Sequence, residues 1–253
     1  LRFRVIWPFL RRPRTAPALD PSLCRQAATG LPWLRDLDPP RQQRLHALAA
    51  EFLADKAITP LHGLCLDEVQ RLRLAMLCCM PLLEFGREGL YGWKELLVYP
   101  AAFRARRSHV DAHGILHEGA EDLIGEAWER GPVILSWADV RSDIAAPNDG
   151  FCVAAHEIAH KLDALDGAMD GTPPLPRDWQ RQWAADFQRA YDGFCAEVDA
   201  GHDTAIDPYA AEAPEEFFAV CTEYHFSDAR TLQAAMPEVA AHLRRFYGAP
   251  LLG

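Results

Sequence analysis

The chain runs to 253 residues with a formal net charge of −10, 49% hydrophobic and 25% charged residues. That is ordinary globular composition, long enough to bury one sizeable core or two tightly joined ones. The acidic balance argues against nucleic acid as a direct partner, and no apolar run reaches the roughly 18 residues of a membrane span.

At the start, the apolar run of Leu1 to Leu10 is short, broken by Pro8 and followed by no small-residue cleavage site. Residues 1–20 are therefore read as a basic N-terminal arm, ahead of a single domain over 21–253. After Pro39-Pro40 the spacing predicts a helix from Arg41 to Lys56, with Leu45, Leu48, Ala49, Phe52 and Leu53 on one face. Ile58 to Leu64 reads as a connector, and Asp67 as the N-cap of a second, core helix running through Leu72 and Cys78 to Pro81. The seven cysteines are an odd number without ligand-like pairing, which suits reduced thiols in a cytosol.

The middle of the chain reads as strands. Glu95 to Tyr99 is stopped by Pro100, Ile115–His117 and Ala120–Trp128 are short, and Gly131 to Trp137 carries β-branched residues behind a turn. His109, His113 and His117 recur in a turn-rich stretch and are read as surface or loop histidines. The expected class is α+β, mostly helical, with a small mixed sheet placed before the helix described next. A free edge of that sheet would suit pairing with an extended peptide.

Pro147-Asn148-Asp149-Gly150 is a turn, and Phe151 to Asp163 reads as one short helix containing His156-Glu157-Ile158-Ala159-His160. Residues four apart stack one turn above each other, so the two imidazoles can share one metal ion, with Glu157 beside them. This is the zinc pattern in which two neutral imidazoles bind Zn²⁺ and the glutamate serves as general base toward water. The plainer reading is a helix with two incidental histidines, but the apolar flanks bury it, and buried imidazoles need partners.

Beyond a loop from Leu165 to Pro176, Arg177 to Ala200 is a long amphipathic helix whose Trp179, Trp183, Phe187 and Phe194 read as core. Catalytic zinc takes three protein ligands and leaves one position open. The richest source of a third is the stretch from Asp207 to Phe226, where Pro214 opens an apolar helix and Glu215 and Glu216 follow. Those glutamates also complement a helix N-terminus, and spacing alone does not choose between them.

The His156–Asp163 segment and the block from Asp207-Pro208-Tyr209-Ala210-Ala211 through Glu216-Phe217-Phe218-Ala219-Val220 resemble the Mlc titration factor A family of bacterial zinc peptidases. That family's core is similar to the protease domain of anthrax lethal factor. Tyr99-Pro100 and Gly131 to Leu135 resemble it too, over roughly residues 30 to 247, with the first twenty outside. The resemblance implies a zincin-like fold holding one Zn²⁺ per chain, with His156, His160 and Glu216 as ligands, Glu157 as general base and Tyr209 beside the metal. It implies a cytoplasmic, aminopeptidase-like enzyme acting on peptides that also binds the repressor Mlc, which links it to sugar phosphotransferase regulation. Asp163 could orient a ligand imidazole or lie at the surface, and Glu223, two turns after Glu216, is equally open. Two competing readings are a repressor-titrating binding protein with secondary hydrolysis and a structural zinc site recruiting Cys152.

Overall fold

The computed structural model describes residues 16–101 and 131–250. Short helices Pro21–Ala27 (α1) and Pro32–Arg35 (α2) precede the long helix Pro39–Asp55 (α3), and each opens on a proline suited to a first helical turn. The side chains of Asp20 and Asp38 accept from Ser22 N and Arg41 N, which starts α1 and α3 cleanly. Neither α1 nor α2 is long enough to show a helical period, so the sequence reading passes over both.

Helix Glu68–Cys79 (α4) follows its expected cap. Asp67 accepts from Gln70 N, while the Gln70 side chain accepts from Asp67 N, a reciprocal capping box. From Leu72 onward α4 is almost wholly buried, and it packs between α3 and the helix Val153–Asp163. The seven cysteines are all free, and Cys78 and Cys79 serve α4 as small core residues.

Among the described residues the sheet has three strands, Ala57–Pro60 (β1), Glu95–Tyr99 (β2) and Val133–Ser136 (β3), in the order β1-β2-β3. All three run parallel, with Ile58 opposite Leu96 and Leu97 opposite Ile134. Two corrections follow. The expected connector at Ile58–Leu64 contains an edge strand, and the sheet expected as mixed is parallel in its described part. Strand direction is set by the crossovers between strands, and α4 supplies the one between β1 and β2. The strands expected at Ile115–His117 and Ala120–Trp128, and His109, His113 and His117, lie outside the described residues.

Strand β3 passes directly into helix Trp137–Ala145 (α5), so Trp137 begins a helix where strand was expected. The Ser136 hydroxyl accepts from Asp139 N and caps that start. Three helices complete the core around Val153–Asp163 (α6). They are Arg177–Asp199 (α7), Pro214–Ser227 (α8) and, after a short turn of helix at Ala229–Ala235 (α9), Pro237–Tyr247 (α10). α7 buries Trp179, Trp183, Phe187 and Phe194, as its stripe predicts. A buried chain ties α7 to α10: Trp179 Nε1 donates to His242 Nδ1 (2.7 Å), leaving His242 Nε2 to donate to Asp186 Oδ2 (2.9 Å). α8 is buried along its whole length from Glu216 onward, which puts Glu216 and Glu223 in the interior beside α6. Among the described residues no helix is long and apolar enough to cross a membrane.

Candidate metal centre

The start of α6 is fixed by carboxylates from other helices, because Cys152 offers it no side-chain cap. The Val153 N–H donates to Asp143 Oδ2 of α5 (2.9 Å), and the Cys152 N–H donates to Glu223 Oε2 of α8 (2.7 Å). Two of the donors that a helix N-terminus leaves free are thereby satisfied inside the protein. At the far end, the buried Lys161 ammonium donates to the Gly131 carbonyl beside β3 (3.1 Å).

Between these anchors α6 presents His156 and His160 one turn apart, their ring centroids separated by 4.8 Å. The two Nε2 atoms are 3.1 Å apart, and Glu216 Oε2 lies 3.1 Å from His156 Nε2 and 3.4 Å from His160 Nε2. Tetrahedral ligands at about 2.0–2.1 Å from one zinc lie roughly 3.3 Å from each other, so this triangle has the right size. Lone pairs converging at such distances repel unless a cation or proton lies among them, and the donor set is one that zinc favours. Among the described residues these three form the group of histidine, cysteine and carboxylate donors close enough to share an ion.

Glu223 settles the tautomer of His156. Its Oε1 is 2.8 Å from Nδ1, and a carboxylate there accepts a proton from Nδ1, which leaves Nε2 with its lone pair facing Glu216 and His160. Burial opposes charge on the His156 ring, but the Glu223 and Glu216 carboxylates outweigh it and hold its pKa well above the usual histidine range. Burial likewise works to raise the Glu216 pKa, and when the rings are protonated, in place of a bound cation, hydrogen bonds from His156 and His160 overcome it and push the carboxyl far below its ordinary value. Both shifts have one source, the close approach of the Glu216 and Glu223 carboxylates to the imidazoles. His160 Nδ1, by contrast, is buried without a hydrogen-bond partner among the described residues.

A cavity of about 380 Å³ opens on this group, lined by Asp139, Asp143, Phe151, His156, Glu157 and Tyr209 among others. Glu157 lines it and makes no side-chain hydrogen bond to another described residue. Tyr209 rides on a turn of 3-10 helix at Pro208–Ala211, which Asp207 stabilises by accepting from Tyr209 N (2.8 Å). Its ring centroid is 6.2 Å from that of His156. Phe151 and Tyr209, at 45% and 40% exposure, are the exposed large hydrophobic side chains of the described residues, and both line this cleft.

Of the sequence-derived set, His156, His160 and Glu216 come together as one donor group, and Glu157 and Tyr209 line the cleft beside His156. Glu215 stays outside the donor group, as does Cys152, whose thiol burial holds well above its ordinary pKa. Asp163 takes neither of its expected roles. It is fully buried and accepts from Gly171 N and Thr172 N, at 2.8 Å each, so it anchors a loop. Asp143 was not singled out by sequence, and nothing local would reveal it, because it acts on a backbone N–H ten residues away.

A His-His-Glu group, its histidines half-buried and its Glu216 buried, beside a glutamate that lines an open cleft in an α+β fold, defines the zincin-like metallopeptidase class. The chain belongs to the family described as glucose-regulated metallo-peptidase M90, which matches residues 8–248. That match starts ahead of the residue-30 limit read from the motifs and takes in part of the first twenty residues. The chain is also similar to Mlc titration factor A of Yersinia pestis (strain Pestoides F) and of Yersinia pseudotuberculosis serotype O:1b (strain IP 31758). To each it is 37% identical over 223 residues, which cover 87% of this chain and 82% of the relative. Membership in a metallopeptidase family implies a metal cofactor, and the three donors above could hold it.

Proposed function

We propose that this protein is a zinc-dependent, aminopeptidase-like peptidase of the cytoplasm, with His156, His160 and Glu216 as ligands of one zinc ion. The observation that carries this reading is the donor triangle of 3.1–3.4 Å, with Glu223 on the far nitrogen of His156 and Glu157 lining the adjoining cleft. Zinc bound there would supply Lewis acidity, polarising the scissile carbonyl and making water more acidic. Glu157 takes a proton from the attacking water and delivers it to the leaving amine nitrogen. Tyr209 donates a hydrogen bond to the carbonyl oxygen as that atom gathers negative charge. Its exposed position at the cleft mouth suits a side chain that swings onto substrate.

The relatives' name favours a second activity. They are called Mlc titration factor A, and we infer that this chain also binds an Mlc-type repressor, to which its net charge of −10 is suited if the partner is basic. Elemental analysis of wild type and Glu216→Ala, with aminoacyl and peptide reporters, tests the enzyme reading. One zinc per wild-type chain, weakened in Glu216→Ala, and hydrolysis abolished in Glu157→Gln with zinc retained are the expected results. Full zinc retention in Glu216→Ala would move the third ligand elsewhere. Zinc without hydrolysis of any reporter would leave the repressor-binding role as the main one.

A further inference from the structure

The third ligand sits in a helical turn that lacks a cap of its own. Glu216 is the third residue of α8, and the N-cap position, Ala213, supplies no side-chain hydrogen bond. The position of that turn must therefore come from what packs against it. Gly171 does so from the loop after α6. It has φ +78°, and a Cβ built on it would lie 2.5 Å from the Pro214 carbonyl oxygen and 2.9 Å from its carbon. Only a residue without a side chain allows this backbone-to-backbone approach.

Gly171 is itself held rigidly. Its N–H donates to Asp163 Oδ2 (2.8 Å), the Thr172 N–H donates to Asp163 Oδ1 (2.8 Å), and Trp183 Nε1 donates to the Gly171 carbonyl (3.4 Å). Asp163 is the last residue of α6, three positions after His160. A carboxylate completely removed from solvent is retained here with the backbone N–H groups of Gly171 and Thr172 for partners. The two helices that bring the metal donors together are thus joined by a short strut, from Asp163 through Gly171 to Pro214.

We infer that Asp163 and Gly171 are positioning residues for metal binding, setting the first turn of α8 so that the Glu216 carboxylate meets the two imidazoles. A metal site tolerates misplacement of about 0.5 Å, and relieving the contact at Gly171 needs a shift of about that size. The inference rests on the reading of Glu216 as third ligand.

The test is zinc affinity by chelator competition on the full chain, with folding followed by circular dichroism. Gly171→Ala is expected to weaken zinc about 10- to 100-fold, as loss of a partner outside the ligand set commonly does. In a Glu216→Ala background the same change should cost nothing further, because the strut acts through Glu216. Asp163→Asn, which cannot accept from both N–H groups, gives the same reading should Gly171→Ala not fold. Wild-type affinity in a folded Gly171→Ala or Asp163→Asn, or an equal loss with and without Glu216, overturns the strut. Wild-type affinity in Glu216→Ala would instead overturn the ligand assignment beneath it.

Discussion

Replacing Glu223 by glutamine changes one atom of a side chain that accepts two hydrogen bonds, from His156 Nδ1 (2.8 Å) and Cys152 N (2.7 Å). The amide has one acceptor oxygen and one donor nitrogen, so it can serve only one of these partners. If the oxygen stays on His156, the amide NH₂ confronts the Cys152 N–H, and a buried donor at the head of α6 goes unpaired. That costs about 1–3 kcal/mol of stability. If the amide turns over, its NH₂ must donate to Nδ1, which drives the imidazole proton to Nε2, the atom aimed at Glu216 and His160. The metal site then loses a lone pair, and affinity should fall about 10- to 100-fold. Either orientation is harmful, and the two are separable by experiment. Urea denaturation of the metal-free protein reads the first, and chelator competition for zinc reads the second. If Glu223→Gln matched wild type in both, Glu223 would not fix the imidazole, and the tautomer argument for the whole site would fall.

Tyr209→Phe should lower kcat by about 100-fold while KM and zinc content stay close to wild type, because an oxyanion donor acts mainly in the transition state. An equal rise in KM with kcat intact would instead make Tyr209 a substrate-binding residue. A pH effect is expected at Lys56, outside the cleft lining, whose ammonium is buried between the Leu90 and Trp93 carbonyls with its nitrogen 4.3 Å from the Trp93 ring centroid. Burial pushes its pKa down from 10.5 to about 8. Between those values the unfolded chain holds more protons than the folded one, so this group's contribution is complete above pH 10.5 and is lost as pH falls through about 8. Denaturation of wild type and Lys56→Met across that window should give a difference curve rising with pH, by at most about 1.4 kcal/mol per unit. A flat difference curve would contradict the depressed pKa.

Sequence alone determined what is written within one or two helical turns. The i, i+4 spacing of His156 and His160 put both imidazoles on one face of α6, Asp67 as N-cap placed the start of α4, and the aromatic stripe of α7 went into the core. Each of these depends on side chains reaching their own helix, which a local pattern records faithfully. The spacing of Val239, Leu243 and Phe246 in α10 is a local pattern of the same kind. The tertiary structure decided what depends on chain segments far apart meeting. It set Glu216 rather than Glu215 against imidazoles about sixty residues earlier, and it gave Glu223 two partners at the head of α6. It turned Asp163 away from the imidazoles toward Gly171, and it made Ile58 part of an edge strand by pairing it beside Leu96. Neighbouring glutamates have the same local chemistry, so residue type and spacing leave them equal; the family resemblance favours Glu216, and the packing of α8 on α6 is what brings its carboxylate to the imidazoles.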